Sequence, residues 1–340
     1  MDNKAKMQVA GIQINHYGNL SIVDLARKNL RNLALVRADM KKPTRHSLTY
    51  FALVNSLVML GSHSTFDFLC TTNKWFRLFR KPLRWLRVKD YLTGKSFNAY
   101  AEAVQAVDKC FEEFPPSNDD PLTRKMWVLR GLACLQAGKR DAAWQSFNSA
   151  HIIKKDDPEA VINLAYLYIE DKKWQKAIDI LIPVFDKGGF DYGNLPYDVV
   201  EMEAAILKDL GICYYNLLAE LFARKDRTPD DNALMGKYAQ NTLQFYQKFL
   251  SVSQPQLEII DQMCFCLRLL GKHGEASKMT VTAVNKFPWY HAGFYNLAMD
   301  EISAKRYVTA KLFLLQAAKF NPNAPEIKHN LKQLEAMGVK

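Results

Sequence analysis

Two stretches close to the C-terminus decide the fold of this chain. Residues 263–288 read MCFCLRLLGKHGEASKMTVTAVNKFP, and residues 297–322 read LAMDEISAKRYVTAKLFLLQAAKFNP. Small residues on two neighbouring helices let the helices approach closely, and a proline ends the second helix of each pair. The positions that agree, each 34 residues apart, are Cys264 with Ala298, Ala276 with Ala310, Ala283 with Ala317, and Pro288 with Pro322.

The same 34-residue spacing continues upstream. Gly131 corresponds to Ala165, and Ala143 corresponds to Ala177, while a weaker unit surrounds Gly211. This period and this pattern of small residues are typical of tetratricopeptide (TPR) repeats. The sequence therefore predicts an all-α protein, a right-handed α-solenoid of about seven TPR-type helix pairs and a capping helix, preceded by a short extended segment.

The organisation predicted along the chain has four parts. Residues 1–43 form a strand and a helix, and residues 44–122 form divergent TPR-like helix pairs. Residues 123–324 form the TPR array, and residues 325–340 form a polar capping helix. Two stretches rich in Gly, Pro, Asn and Asp, residues 186–198 and 224–235, break the period and are predicted to be loop insertions.

Composition indicates a folded protein of the cytoplasm. Of the 340 residues, 49% are hydrophobic and 24% are charged, which is typical of a globular chain. No apolar run reaches the roughly 18 residues that span a bilayer, and the N-terminus does not resemble a secretory signal. The six cysteines are scattered without a metal-binding spacing, so they are predicted to be buried free thiols.

The N-terminal segment contains an isolated strand pattern. Residues 9–14 read as a short buried strand that has no predicted partner strand. Residues 8–61 resemble the corresponding part of bacterial family 2 glycosyltransferases that carry C-terminal TPR repeats. The motif residues that carry the resemblance are His16, Tyr17, Gly18, Lys28, Arg31, Asn32 and Pro43.

The resemblance implies a catalytic nucleotide-sugar domain that is absent from this chain, with the strand as its last element. In the intact enzyme a divalent metal and a nucleotide sugar are implied as cofactors, and His16 would be a metal ligand. No Asp-x-Asp motif occurs in this sequence. A lone imidazole is a poor site for Mg²⁺ or Mn²⁺, so the chain alone is expected to lack transferase activity. A fragment, a split gene product and a decayed relative all remain open.

A basic segment lies between residues 74 and 95. It holds eight Lys or Arg residues against Asp90, within a chain whose net charge is +11. Aromatic residues interleave with the charges, so the segment could contact an anionic membrane surface or an acidic glycan, which would place the protein at the inner face of the membrane. Two solenoid helices with solvated charges are the simpler interpretation, and nucleic acid is disfavoured. The candidate contact residues are Lys74, Arg77, Arg80, Lys81, Arg84 and Arg87.

The first helix of each TPR pair lines a concave groove, which is the predicted site for a protein, peptide or glycan acceptor. An Asn in this register can bond a peptide backbone or a glycan hydroxyl, and it can equally brace the helix pair. The predicted groove residues are Trp127, Arg130, Asn163, Tyr166, Tyr215, Asn216, Arg268, Tyr295 and Asn296.

Three functional hypotheses follow from these patterns. The first is a non-catalytic module of a family 2 glycosyltransferase that recruits the acceptor or a protein partner. The alternative is a free-standing TPR adaptor that binds a peptide or protein partner in its groove. An active transferase assembled from split chains is a third, less favoured hypothesis.

Overall fold

The computed structural model of the protein describes residues 8–9, 12–13, 22–42, 46–62, 99–188 and 199–339. The chain divides into two compact units, Met1–Ala160 and Val161–Lys340. The helices predicted within residues 63–98 lie outside the described residues, as does most of the insertion predicted at 186–198. The first two residues of that insertion are the end of a helix.

Fourteen α-helices make up nearly all of the described part of the chain, which confirms the predicted all-α solenoid of TPR-type helix pairs. Their lengths are those of the predicted repeats, with two exceptions discussed below. In chain order they are α1 Ile22–Asp39, α2 Ser47–Ser62, α3 Ala99–Glu113, α4 Pro121–Gln136, α5 Arg140–Ile153, α6 Pro158–Glu170, α7 Trp174–Lys187, α8 Val199–Phe222, α9 Pro229–Val252, α10 Leu257–Leu269, α11 His273–Lys286, α12 His291–Ser303, α13 Tyr307–Phe320 and α14 Pro325–Ala336.

The prediction of one unpartnered strand over residues 9–14 is wrong. The structure has two strands of two residues each, β1 Gln8–Val9 and β2 Ile12–Gln13. They pair in antiparallel register, with Gln8 opposite Gln13 and Val9 opposite Ile12. The pairing lets backbone groups of the two strands bond each other, which a single continuous strand could not do.

Helix α1 packs on α2. Leu33 and Val36 lie on the buried side of α1, and Tyr50 and Val54 are fully buried in α2. Helix α2 also packs on α3 and α4. At the other end of the chain, α14 packs on α13 and serves as the predicted capping helix, with Ile327 and Leu334 buried.

Within the helix pairs, the smallest residue of the first helix faces a side chain of the second. A Cβ atom added to Gly131 would lie 2.4 Å from the Phe147 ring, and one added to Gly211 would lie 2.2 Å from the Tyr246 ring. Where the first helix has the larger Cys264, the facing residue is the small Thr280, with 3.4 Å between Sγ and Oγ1. The sizes of the two residues therefore compensate each other, and this sets the distance between the helices.

The turn between the helices of a pair is also fixed by repeat position. Gly138, Lys172, Gly271 and Lys305 occupy the same place in four turns, and all four have positive φ, from 56° to 74°. At Lys172 the backbone forms a Schellman cap, in which Lys172 N bonds Ile169 O and Lys173 N bonds Tyr168 O. Two turns thus place a lysine in a conformation that favours glycine.

The pair α8–α9 is longer than its neighbours, because each of its helices has 24 residues against 13 or 14 in the pairs after it. The prediction that residues 224–235 form a loop is wrong from Pro229 onward, where α9 has already begun. Thr228 and Asp231 form a capping box, with Asp231 N donating to Thr228 Oγ1 and Thr228 N donating to Asp231 Oδ2. Pro229 at the first helical position adds to this start signal. The insertion is therefore a helical extension of the hairpin.

Candidate functional site

Two predicted groove residues lie in the unit Met1–Ala160, and the side chains of both contact residues of neighbouring helices. The guanidinium of Arg130 bonds Asp108 on α3 at 2.7 Å and Ser146 on α5 at 2.8 Å. The indole of Trp127 packs on Phe111, with 4.6 Å between ring centroids, and the Arg130 guanidinium lies 5.8 Å from the Trp127 ring centroid. These residues join α3, α4 and α5, so they stabilise the array.

In the unit Val161–Lys340, Asn163 and Asn296 lie in one register of the first helices, which also holds Gln262 and Asn330. Asn330 Nδ2 donates to Tyr295 Oη at 3.2 Å, from α14 to α12. Gln262 on α10 bonds the hydroxyl of Tyr246 on α9. Both bonds join neighbouring helices, so this register favours the bracing interpretation. Asn163 and Asn296 are half-buried.

Arg268 is likewise held by its own array. Its Nη2 lies 3.0 Å from Asp300 Oδ2, and its Nε lies 3.4 Å from Asp300 Oδ1. Ser277 Oγ donates to Asp300 Oδ2 at 2.7 Å from α11. This carboxylate joins α10, α11 and α12, and its interaction with Arg268 is the kind of partly buried ion pair that fixes geometry.

A cluster of aromatic side chains lies where α8 and α10 meet. Phe265 on α10 packs edge-on against Tyr215 at 6.0 Å and against Phe222 at 5.2 Å between ring centroids. Phe222 ends α8 in the extended part of the hairpin and is 45% exposed. The guanidinium of Arg227 lies 5.1 Å from its ring centroid. We call Tyr215, Phe222 and Phe265 the aromatic cluster.

Polar groups lie beside the aromatic cluster. Asn216 Nδ2 bonds Ile212 O in its own helix at 2.8 Å, which leaves its side-chain oxygen able to accept. Burial raises the pKa of the Asp261 carboxyl to about 6, against the opposing effect of Arg268. Burial also raises the pKa of the Tyr215 phenol, so it stays a hydrogen-bond donor at neutral pH.

The predicted groove residue Tyr166 lies on α6. Its side chain is 44% exposed, and its hydroxyl bonds Glu170 of the same helix.

Asp209 is a second carboxyl with a raised pKa in the unit Val161–Lys340. Asp209 lies on α8, one turn before Cys213, and it is half-buried. Burial raises the pKa of its carboxyl to about 7, although Lys208 opposes the shift. Burial also raises the pKa of the Cys213 thiol. The Cys213 thiol is therefore neutral at physiological pH, whereas the Asp209 carboxyl titrates near neutral pH.

A buried group of charges was not predicted from the sequence. In the unit Met1–Ala160, Arg124 on α4 pairs with Asp157 before α6, with 14% and 4% of their side chains exposed. Burial, followed by the nearby Asp157 charge, raises the pKa of Glu159 to about 7. Nδ1 of His151 is buried without a hydrogen-bond partner, and burial lowers the pKa of its ring. No spacing motif marks these residues, because they come from three elements.

The remaining candidates lie elsewhere. His16 and the basic candidates Lys74, Arg77, Arg80, Lys81, Arg84 and Arg87 fall outside the described residues, so their roles stay predictions. Over the described ranges, no group of three or more His, Cys, Asp or Glu side chains could hold a metal ion. In the same ranges, no helix is both long and apolar enough to cross a membrane.

Five of the cysteines are free and buried, as predicted, and Cys70 lies outside the described residues. Burial raises the pKa of the Cys110 thiol to about 11 and that of the Cys266 thiol to about 12. A thiol with so high a pKa is neutral at physiological pH and is a poor nucleophile or metal ligand. These cysteines are therefore core residues.

Several solved structures are similar to this chain. YrrB, described as a TPR protein with an unusual peptide-binding site, is 14% identical with a TM-score of 0.49, over 67% of this chain and 99% of YrrB. TTC0263, a TPR protein of Thermus thermophilus, is 17% identical with a TM-score of 0.36, over 63% of this chain and 99% of that protein. The C-terminal part of a TPR repeat-containing protein from Cytophaga hutchinsonii is 13% identical with a TM-score of 0.46, over 74% of this chain and 85% of that structure.

No protein-family model matches the sequence, and no curated protein matches it. The TPR-type fold is established by the helix pairs of the chain itself.

Proposed function

We propose that this protein is a non-catalytic TPR interaction module that binds a peptide segment of a protein partner on the first-helix surface of residues 161–339. The observation that carries the proposal is the aromatic cluster, because Phe222 is 45% exposed at the end of an extended helix instead of being packed into the core. Exposed aromatic side chains that are held rigidly by neighbouring rings are typical anchors of protein interfaces.

The surroundings of the cluster fit a peptide. Arg227 lies over the Phe222 ring, where it can also meet a peptide carboxylate. The side-chain oxygen of Asn216, one residue from Tyr215, can accept a backbone N–H of an extended segment. An apolar anchor on the exposed part of the Phe222 ring, with backbone bonds beside it, is the recognition mode that this geometry supports.

A random peptide library displayed on phage tests this function with the full chain as bait. We expect enriched peptides to share an aromatic or large aliphatic residue. Replacing Phe222 with Ser should weaken their binding by about tenfold or more, the loss of roughly 1.4 kcal/mol. Trp144→Ser is the matched control, since Trp144 is also an exposed aromatic residue, 40% exposed on α5. A failure to enrich any peptide, or an unchanged Kd for Phe222→Ser, would contradict the proposal.

The finer hypothesis, recruitment of an acceptor to a family 2 glycosyltransferase, rests on the N-terminal motif alone. Of its residues, Lys28, Arg31 and Asn32 lie on α1, and His16 is outside the described part of the chain. Under this proposal the divalent metal and the nucleotide sugar belong to the catalytic domain, and a glycan acceptor would occupy the groove. The coding sequence upstream of the chain decides the matter, because an in-frame domain with an Asp-x-Asp motif is required. Without that domain, the free-standing adaptor stands.

A further inference from the structure

The outer face of α13 differs from the outer faces of the other second helices. Five residues at one repeat position are fully buried and set the register: Ala143, Ala177, Thr242, Ala276 and Ala310. The residues two before, two after and five after each of them point away from the pair. On α5 these are Asp141, Gln145 and Asn148, and on α9 they are Gln240, Gln244 and Gln247.

On α13 the same three positions hold Val308, Leu312 and Leu315, which are 61%, 60% and 50% exposed. We call these three residues the α13 seam. Elsewhere the equivalent positions are mostly polar, because a second helix of a TPR pair buries its other side. Three aliphatic side chains exposed on one stripe are costly in water unless something covers them.

The width of the seam indicates what covers it. Its residues are spaced by four and then by three, which is the a/d spacing of a helix–helix seam. Thr309 and Gln316 beside it are polar and exposed. A helix that lies on a membrane buries a much wider apolar face. A seam one residue wide therefore fits an amphipathic helix better than a lipid surface.

The charges around the seam decide between partner helices. No Asp or Glu occurs between Glu301 and Glu326, whereas Lys305, Lys311 and Lys319 do. Lys311 Nζ bonds the carbonyl of Val339, and Lys319 Nζ lies 5.9 Å from the Phe320 ring centroid, so neither is neutralised by a carboxylate in these contacts. If two copies of the chain met through α13, the lysines at the two ends of the helix, Lys305 and Lys319, would face lysines of the other copy. This holds for parallel and for antiparallel helices. An acidic helix would compensate the charge.

We propose that the α13 seam is a second docking surface, which binds an acidic amphipathic helix of a partner protein. It is separate from the peptide site on the first helices and does not depend on it. The seam is only about two helical turns long, on the order of a few hundred Å², so the contact is weak and reversible. Such a surface would let the protein hold a second partner while its first-helix surface is occupied.

Two synthetic helical peptides serve as probes, both with Leu at the a and d positions. One carries Glu at the flanking positions and the other carries Lys. We expect the full chain to bind the Glu peptide with an affinity that falls as salt rises, and to bind the Lys peptide at least about tenfold more weakly. Leu312→Gln combined with Leu315→Gln should reduce binding of the Glu peptide by about tenfold or more. Val281→Gln is the matched control, because Val281 is 43% exposed at the equivalent place on α11.

Circular dichroism should show unchanged folding in the double variant, since both leucines are exposed. A charge variant, Lys305→Glu with Lys319→Glu, should remove the preference for the Glu peptide without touching the leucines. The proposal is overturned if the Glu peptide does not bind, or if it binds the double variant equally well. Sedimentation that shows dimers lost in the double variant would assign the seam to a second copy. Binding to phosphatidylglycerol vesicles that is lost in that variant would assign it to lipid.

Discussion

Arg268 on α10 and Asp300 on α12 form a two-point ion pair, with 3.0 Å and 3.4 Å between the nitrogen and oxygen atoms. The two residues lie on the first helices of consecutive repeats. The hydrogen bond from Asn330 to Tyr295 joins α14 to α12 in the same way. Polar side chains of the first helices are thus used to fix one repeat on the next, and they are only partly available to a ligand.

Breaking this ion pair should destabilise the protein. With 24% and 23% of their side chains exposed, Arg268→Met or Asp300→Ala should each lower the free energy of unfolding by about 1–3 kcal/mol. A double-mutant cycle in urea should give a coupling energy of at least about 0.5 kcal/mol. The exposed pair Lys272–Glu275, 3.6 Å apart, is the control and should couple more weakly. Equal coupling in both pairs would show that Arg268 does not brace the array.

Two glycine substitutions should have opposite effects. Gly211→Ala places a Cβ atom against the fully buried Tyr246 ring, which cannot move aside, so we expect a loss of about 1–3 kcal/mol or more. Gly236→Ala lies inside α9 with nothing within 4 Å, and should gain up to about 1 kcal/mol from helix propensity. Thermal unfolding of both variants measures the difference. A neutral Gly211→Ala would mean that the pair can open at this position.

The turn at Lys172 should prefer glycine. Lys172 has a φ of 56°, where a side chain is strained, so Lys172→Gly should stabilise the protein by up to about 1 kcal/mol. Lys176→Gly, four residues along in α7, should instead destabilise it by about the same amount, because glycine is a poor helix residue. Chemical denaturation of the two variants compares one substitution in two backbone conformations. A Lys172→Gly variant that is as destabilised as Lys176→Gly would contradict this account.

Stability should depend on pH through Asp209. Its carboxyl has a folded pKa of about 7, above the ordinary 3.8 of an unfolded chain. As pH rises from about 4 to 7, the unfolded state loses this proton first, so this group's contribution to stability is lost as pH rises. Three pKa units correspond to at most about 4 kcal/mol. Urea unfolding at pH 5 and pH 8 should show a smaller difference for Asp209→Asn than for the wild type.

The control for this measurement is Asp226→Asn, in the connection between α8 and α9, where the residue is exposed. It should keep the pH dependence of the wild type. An Asp209→Asn protein with an undiminished loss of stability toward pH 8 would assign the effect to other groups, of which Glu159 is the first candidate because its pKa is also about 7.

Much of the array follows from the sequence, because the small residues that let two helices approach recur with the period of the chain. That is why Ala143, Ala177, Ala276 and Ala310 could be placed in equivalent positions, and all four are fully buried. Residues 325–340 were also predicted to form a capping helix, and α14 begins at Pro325. An apolar stripe on a helix must be buried somewhere, and the nearest repeat is the available surface.

The tertiary structure alone decided which side chains meet. Gly131 faces Phe147, 16 residues on, whereas Gly211 faces Tyr246, 35 residues on, because the extended hairpin lies between them. Residues 224–235 were predicted to be a loop because they are rich in Asp, Pro and Asn. These residues are common both in turns and in the first turn of a helix. For the groove, the repeat places Arg130, Arg268 and Tyr295 on first helices. Only the packed neighbours show that Asp108, Asp300 and Asn330 already bind them, because those contacts depend on side-chain geometry between repeats.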